Sequence, residues 1–170
     1  MDFTIRPATL KDFRQLRDLY QELDVLHAES LPAVFKTLDK PATRKKYLAA
    51  ALSDGNTVLL VAENSDGIVG VVHASIRDAP DYPVFVPRKY AWVESLSVRG
   101  DFRRYGVGRA LMKQVEAWAA EKGIAQVELN VWEFNEKARA FYESLGYETA
   151  SRRMWKALSS GKNLNADKDG

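Results

Sequence analysis

Residues 90–111, YAWVESLSVRGDFRRYGVGRAL, constrain the fold of this chain more than any other stretch. Three local signals follow one another. Tyr90 to Val98 is an apolar run with strand character that carries a single carboxylate, Glu94. Arg99 to Gly108 is a tight, basic, glycine-bearing turn. Beyond it, Val107, Ala110, Leu111, Val115, Trp118 and Ala119 recur at helical spacing until Gly123. Ala125 to Trp132 then alternates, with Val127, Leu129 and Val131 facing one way. Two strands joined by a helix form a βαβ unit, which predicts parallel pairing and a right-handed crossover. The turn also has chemical meaning. Unpaired N–H groups and the helix dipole make a helix N-terminus favour anions. Gly106 and Gly108 let a ligand approach the backbone, and Arg103 and Arg104 add positive charge.

The remaining segments fit an α/β fold on a mixed sheet. Asp2 to Arg6 alternates as a short strand ended by Pro7. Thr9 and Asp12 are spaced as a capping box before a helix bearing Leu10, Phe13, Leu16, Leu19, Tyr20 and Leu23 on one face. Asp24 to Lys40 reads as irregular. Pro41 to Leu52 reads as a second helix, closed by Asp54-Gly55-Asn56. Val58 to Glu63 and Ile68 to Ile76 read as strands around the hairpin loop Asn64 to Gly67. Arg77 to Pro87 holds three prolines and reads as a loop. Asn135 can cap a helix whose inner face is Ala138, Phe141, Tyr142 and Leu145, stopped by Gly146. Tyr147 to Ala150 and Arg152 to Leu158 read as closing strands. The expected organisation is one domain over residues 1–158 and a polar, flexible tail over 159–170.

Composition removes several classes of function. The chain of 170 residues has no cysteine, which excludes thiolate catalysis, disulfides and Cys-ligated metals. It has only two histidines, His27 and His73, which argues against a metal site. A net charge of +2 is too small to imply nucleic-acid binding, and the arginines cluster at one turn without interleaved aromatics. No apolar run approaches the ~18 residues of a membrane span, and no signal-peptide core is present. A soluble, cytoplasmic protein is expected.

Glu94 shares strand parity with Trp92, Leu96 and Val98, so a regular strand would place it on an apolar face. Burying an unpaired carboxylate is costly, so a bulge turns it out or its pKa is raised. The plain alternative is a sheet-edge carboxylate paired with an arginine. Tyr142 is likewise a half-buried core tyrosine unless its hydroxyl has chemistry to do. His27, Glu29, Asp78 and Asp81 fall in long loops and are weak candidates for an acceptor pocket. A Rossmann reading of the turn needs a small residue where Leu111 stands, and a Walker A loop needs Gly-Lys-Ser/Thr, which is absent.

Arg103-Arg104-Tyr105-Gly106-Val107-Gly108 and Asn135-x-x-Ala138-x-x-Phe141-Tyr142-x-x-x-Gly146-Tyr147 together resemble the GNAT superfamily of acyl-CoA-dependent N-acetyltransferases, over roughly Thr4 to Leu158. The resemblance implies the GNAT fold, with a mixed, mostly antiparallel sheet flanked by helices. It implies an acetyltransferase that uses acetyl-CoA as donor and an amine-bearing small molecule or peptide as acceptor. The coenzyme would touch Leu96, Ser97 and Val98 through an added-strand arrangement. Its pyrophosphate would sit on Arg103, Arg104, Tyr105, Gly106, Val107, Gly108 and Arg109, and its pantetheine arm near Asn135 and Ala138. Glu94, nine residues before Arg103, would be the general base, directly or through water. Tyr142 would protonate the leaving thiolate, and the N–H near Leu96 would stabilise the oxyanion. Without cysteine, direct transfer in a ternary complex is favoured over a Cys-acetyl intermediate. A homodimer is suggested by the family. The competing readings are a non-catalytic acyl-CoA-binding module of the same fold and, less so, a nucleic-acid binder.

Overall fold

The computed structural model describes residues 2–156 and 158, apart from Asp39. In chain order the elements are β1 (Thr4–Pro7), α1 (Phe13–Ser30), α2 (Pro41–Ser53), β2 (Thr57–Asn64), β3 (Gly67–Asp78), β4 (Lys89–Val98), α3 (Val107–Glu121), β5 (Val127–Leu129) and α4 (Glu136–Glu143). The five strands form one sheet in the order β1-β2-β3-β4-β5. All neighbours are antiparallel except β4 and β5, which are parallel, as the βαβ pattern requires. The chain divides into two compact units. One takes the chain up to Leu23 and again Leu38–Asn130, and the other takes Asp24–Thr37 and the chain from Val131 onward.

The first unit holds the sheet and a core on each of its faces. On one face, Leu16, Leu19 and Leu48 pack with Leu59, Val61, Ile68 and Val71. On the other, α3 lays Val107 and Leu111 directly on the β3 backbone. A Cβ at Gly70 would come within 2.8 Å of Val107 Cγ1 and 3.1 Å of Leu111 Cδ1, so only glycine lets the helix approach this closely. Val107, Leu111, Met112 and Val115 are fully buried there. The helix stops at Lys122 and Gly123, the glycine taking the left-handed φ of 71° that ends many helices.

Four segments differ from the sequence reading, the shortest being Arg77 and Asp78, which extend β3 by pairing with Tyr90 and Lys89 instead of opening the loop. Asp24 to Ser30 is helical and continues α1. Nothing in it breaks a helix, and the first breaker is Pro32, which disfavours helical geometry at Leu31. β5 is only three residues long, shorter than the alternation from Ala125 to Trp132 suggested. Tyr147 to Ala150 and the described part of Arg152 to Leu158 form no strand. Among the described residues the second unit contains no strand for them to pair with, and alternation alone makes no ladder. The expected tail, residues 159–170, lies outside the described residues.

The entry into α1 is fixed by charge. Asp12 is buried and accepts Arg6 Nη1 at 2.8 Å, Arg6 Nη2 at 2.9 Å and the Thr9 N–H at 2.7 Å, the last being the carboxylate half of the expected capping box. Arg6 Nε also donates to Glu63 at 2.7 Å, tying β1 to the end of β2. The Arg6 hydrogen bonds outweigh burial and hold the Asp12 carboxyl down at about 2. A carboxyl depressed by folding adds stability above its unfolded value and loses it as pH falls through the folded value. Asp12 should therefore contribute roughly 2 kcal/mol at neutral pH, lost between about pH 5 and pH 2. Urea midpoints measured across that range should fall steeply for the parent and more shallowly for Asp12→Asn, which starts lower.

Candidate active site

The pairing of β3 with β4 slips by one residue. His73 faces Ser95 and Ala74 faces Val93, so Glu94 is an extra residue with no partner. This is a β-bulge, the first of the two outcomes that strand parity allowed, and it turns the carboxylate out of the apolar face. Glu94 Oε1 accepts Ser75 Oγ at 2.7 Å, and Arg77 Nη2 donates to Oε1 and Oε2 at 2.7 and 2.8 Å. The Arg77 guanidinium lies 4.8 Å from the centroid of Trp92 and is held between ring and carboxylate. His73 lies on the same β3 face two residues before Ser75. Burial pushes its imidazole down, opposed by the charge of Glu94 and reinforced by that of Arg77, so it is neutral at pH 7.

The same point is where the sheet opens. β5 pairs with Ala91, Trp92 and Val93 and no further. From Ser95 to Val98, β4 is paired with β3 on one edge and not with β5 on the other. The Arg99 N–H donates to Val69 O at 3.0 Å on the β3 side. By strand alternation the Leu96 and Val98 peptide groups point to the open edge, where Val98 O accepts Arg103 Nε at 3.0 Å. Ser97 has the opposite phase. Its side chain is buried, with Oγ 3.4 Å from Leu19 O.

After β4 the chain makes a short 3-10 turn, Gly100–Phe102, stitched by the Arg99–Asp101 ion pair at 2.9 Å and by Arg99 stacked 4.2 Å over the buried Phe102. Arg104 then takes φ of 68°, and Gly106 takes φ of 84° as the cap of α3. As a glycine, this N-cap has no side chain to satisfy the first N–H groups of the helix, which face the turn. Two left-handed residues beside a helix N-terminus make a concavity of backbone donors suited to an anion. Arg103, Arg104, Tyr105 and Arg109 are exposed around it, Gly108 is half-buried, and Val107 belongs to the core. Arg103 is also 3.7 Å from Glu22.

In the second unit, Asn135 caps α4, its Oδ1 accepting the Ala138 N–H at 3.1 Å. Ala138, Phe141 and Tyr142 form a half-buried face of that helix, while Leu145, expected on the same face, lies half-buried in the turn after it because the helix ends at Glu143. The Tyr142 ring stands edge-on to Phe141 and Tyr147 at 5.1 and 5.9 Å. Burial pushes its hydroxyl up to about 12, so it keeps its proton at neutral pH. His27 and Glu29 are on α1 rather than in a loop, and His27 packs on Phe35 and Phe134 at 4.9 and 5.8 Å. Asp78 ends β3 paired with Lys89. Arg77, Ser75 and His73 escaped the sequence reading. Their signal is polar residues two apart in an otherwise apolar strand, all on the face of the bulge.

The family model described as the acetyltransferase (GNAT) family matches residues 16–147. The chain belongs to the GNAT family. Among relatives, human N-acetyltransferase 8B is 29% identical over 135 residues, covering 74% of this chain and 58% of that protein. The chain spans between 33% and 58% of the length of three of the curated relatives it matches. Among solved structures, a tetramutant of the BH1408 protein of Bacillus halodurans superposes with TM-score 0.85 at 24% identity, over 91% of this chain and 99% of that one. AAC(6')-Iy, solved with a CoA-containing bisubstrate analogue, gives TM-score 0.73 at 19% identity, over 93% and 99%. These two likenesses concern the GNAT fold. No helix among the described residues is long and apolar enough to cross a membrane.

Gly106 is open to solvent, with nothing within 4 Å of a built Cβ, but its φ is left-handed. Gly106→Ala should therefore cost only the conformational penalty, roughly 1–2 kcal/mol, with no added clash. Chemical denaturation of the variant checks this, and a larger loss would mean the turn is more tightly packed than described.

Proposed function

We propose that this GNAT protein transfers an acetyl group from acetyl-CoA directly to a primary amine in a ternary complex. The observation that carries the reading is the coincidence at Glu94. The bulge presents a carboxylate at the residue where β5 leaves β4, and the freed β4 edge leads straight to the anion-binding turn. The pantetheine amides then bond the Leu96 and Val98 peptide groups, and the pyrophosphate takes the uncapped N-terminus of α3 with Arg103 and Arg104. The thioester carbonyl is delivered next to the bulge, where the Leu96 N–H can receive the developing oxyanion.

An amine with the basicity of lysine, pKa about 10.4, arrives protonated and must lose that proton before it attacks. Glu94 takes it, directly or through water, with Ser75 and Arg77 fixing the carboxylate orientation. The amine nitrogen adds to the thioester carbon, a C–N bond forms, and the tetrahedral intermediate expels sulfur. Tyr142, protonated at neutral pH, donates to the departing sulfur as the C–S bond breaks, and its phenolate takes the surplus proton from the acylated nitrogen, which restores the phenol and leaves a neutral amide. With no cysteine in the chain, no thiol is available to carry the acetyl group between steps.

A panel of amines assayed for free-thiol release from acetyl-CoA tests the reading. Absence of release above the uncatalysed rate with every amine, in protein that binds coenzyme A, would overturn it. Glu94→Gln should lower kcat by about 10²–10⁴-fold, the usual range for a lost general base, with coenzyme A affinity by calorimetry nearly intact. Tyr142→Phe keeps the ring and its contacts, so stability should change by about 1 kcal/mol or less. Its single-turnover rate should fall about 10²-fold or more, and less so with a donor whose thiol leaves more readily. A Tyr142→Phe enzyme retaining over half the parental rate would remove Tyr142 from the mechanism.

A further inference from the structure

The first unit contains a cavity of about 190 Å³ between α1, α2 and the sheet. Its walls are apolar, from Phe13, Leu16, Tyr47, Leu48, Ala51 and Leu59. Its floor is His73 and Ser95, paired residues of β3 and β4 that flank the bulge. Ser95 is the chain neighbour of Glu94, and the charge of Glu94 is felt at His73, so the floor adjoins the carboxylate assigned as base. The Tyr20 hydroxyl is bonded to Ser95, leaving its ring as a wall.

We infer that this cavity receives the apolar arm of the acceptor, and that the acceptor is a monoamine whose arm is about the size of a phenyl ring. The inference rests on reading the chain as an amine acetyltransferase. Size supports it, because a dry apolar cavity of about 150 Å³ is known to take up benzene. Charge narrows it further. Among the described residues, none of those lining the cavity carries a carboxylate, whereas Arg17 and Arg44 both do line it. Arg17 is paired with Asp18, which lies outside the lining, and Arg44 is held 5.5 Å over the Tyr20 ring. That ring face is thus already occupied by a cation. His73, neutral at pH 7, offers no negative charge either. A second ammonium entering the cavity would lose its water and meet two cations, hydrocarbon and the uncharged His73 and Ser95, with no carboxylate in the described lining to pair with it, a costly transfer. A hydrocarbon ring would lose water to its advantage. Diamines and polyamines are therefore disfavoured, although Glu94 alone would have suggested a polycation.

The test compares three amines at saturating acetyl-CoA: 2-phenylethylamine, ethylamine as the same head without the ring, and 1,5-diaminopentane as a second cation on an alkyl arm. The expected order places 2-phenylethylamine above both others in kcat/KM by about tenfold to a hundredfold, the value of burying one such ring. Filling the cavity with Ala51→Phe should lower the ratio of kcat/KM for 2-phenylethylamine over ethylamine about tenfold or more. Ala51→Leu serves if the larger side chain compromises folding, judged by circular dichroism and melting temperature. A higher kcat/KM for the diamine, or an unmoved ratio in the folded variant, overturns the inference and leaves the acetyltransferase reading standing. Calorimetric titration of 2-phenylethylamine into protein saturated with coenzyme A separates the opposite case. Binding weakened by Ala51→Phe in a protein that releases no thiol would keep the cavity assignment and discard the transfer reaction. Absence of such binding together with absence of turnover would discard both.

Discussion

The site depends on one uncounted residue in a ladder. Because β4 carries Glu94 as an insertion against β3, the chain changes phase at the bulge. Before it, Ala91 and Val93 are buried. After it, Ser97 is buried and the Leu96 and Val98 peptides turn to the open edge. A regular strand would have sunk the carboxylate among Trp92 and Leu96 and turned other peptide groups outward. The bulge also coincides with the last residue pair between β4 and β5. A single register shift thus sets the orientation of the carboxylate, the phase of the exposed backbone and the place where a ligand can enter the sheet.

Electrostatics at this face are arranged in pairs. Glu94 is matched by Arg77, whose other side rests on Trp92, so neither long side chain is left to wander. The pair is partly exposed, and exposed ion pairs contribute little to stability. Its meaning is orientation. The turn before α3 works in the opposite manner: its glycine N-cap has no side chain to satisfy the first amides of the helix, and an anion is their natural complement. The folding contribution from charge comes instead from the buried Asp12 with Arg6, far along the chain from both.

The parts of the fold that could be read directly from sequence are those where one periodicity or one special residue decides. β4, the glycine turn and α3 were legible because an apolar run, two glycines and a helical stripe follow one another. The cap at Asn135 and the stop at Gly146 were legible for the same reason. The second half of α1 was not, since Asp24 to Ser30 has a mostly polar composition and announces a helix only by lacking a breaker. The closing strands were over-read, because alternation reports a face and says nothing of a partner. At Glu94 parity posed the question, bulge or perturbed carboxyl, and only register could answer it. Arg77 and the cavity depend on which residues share a face of the sheet across strands, which a single sequence does not print.

Gly70 gives the arrangement a mechanical property. α3 is a rod of 15 residues, about 22 Å long, and it touches the sheet backbone at its first turn through Val107 and Leu111. The missing side chain at Gly70 therefore acts as a bearing under one end of the rod, and that end carries the outward-pointing amides. A methyl group placed on β3 would lift the helix tip rather than its tail. The aim of those amides is thereby adjusted from a strand that contributes nothing to the turn, and tolerance to change at the turn is set by how deeply the helix is seated behind it.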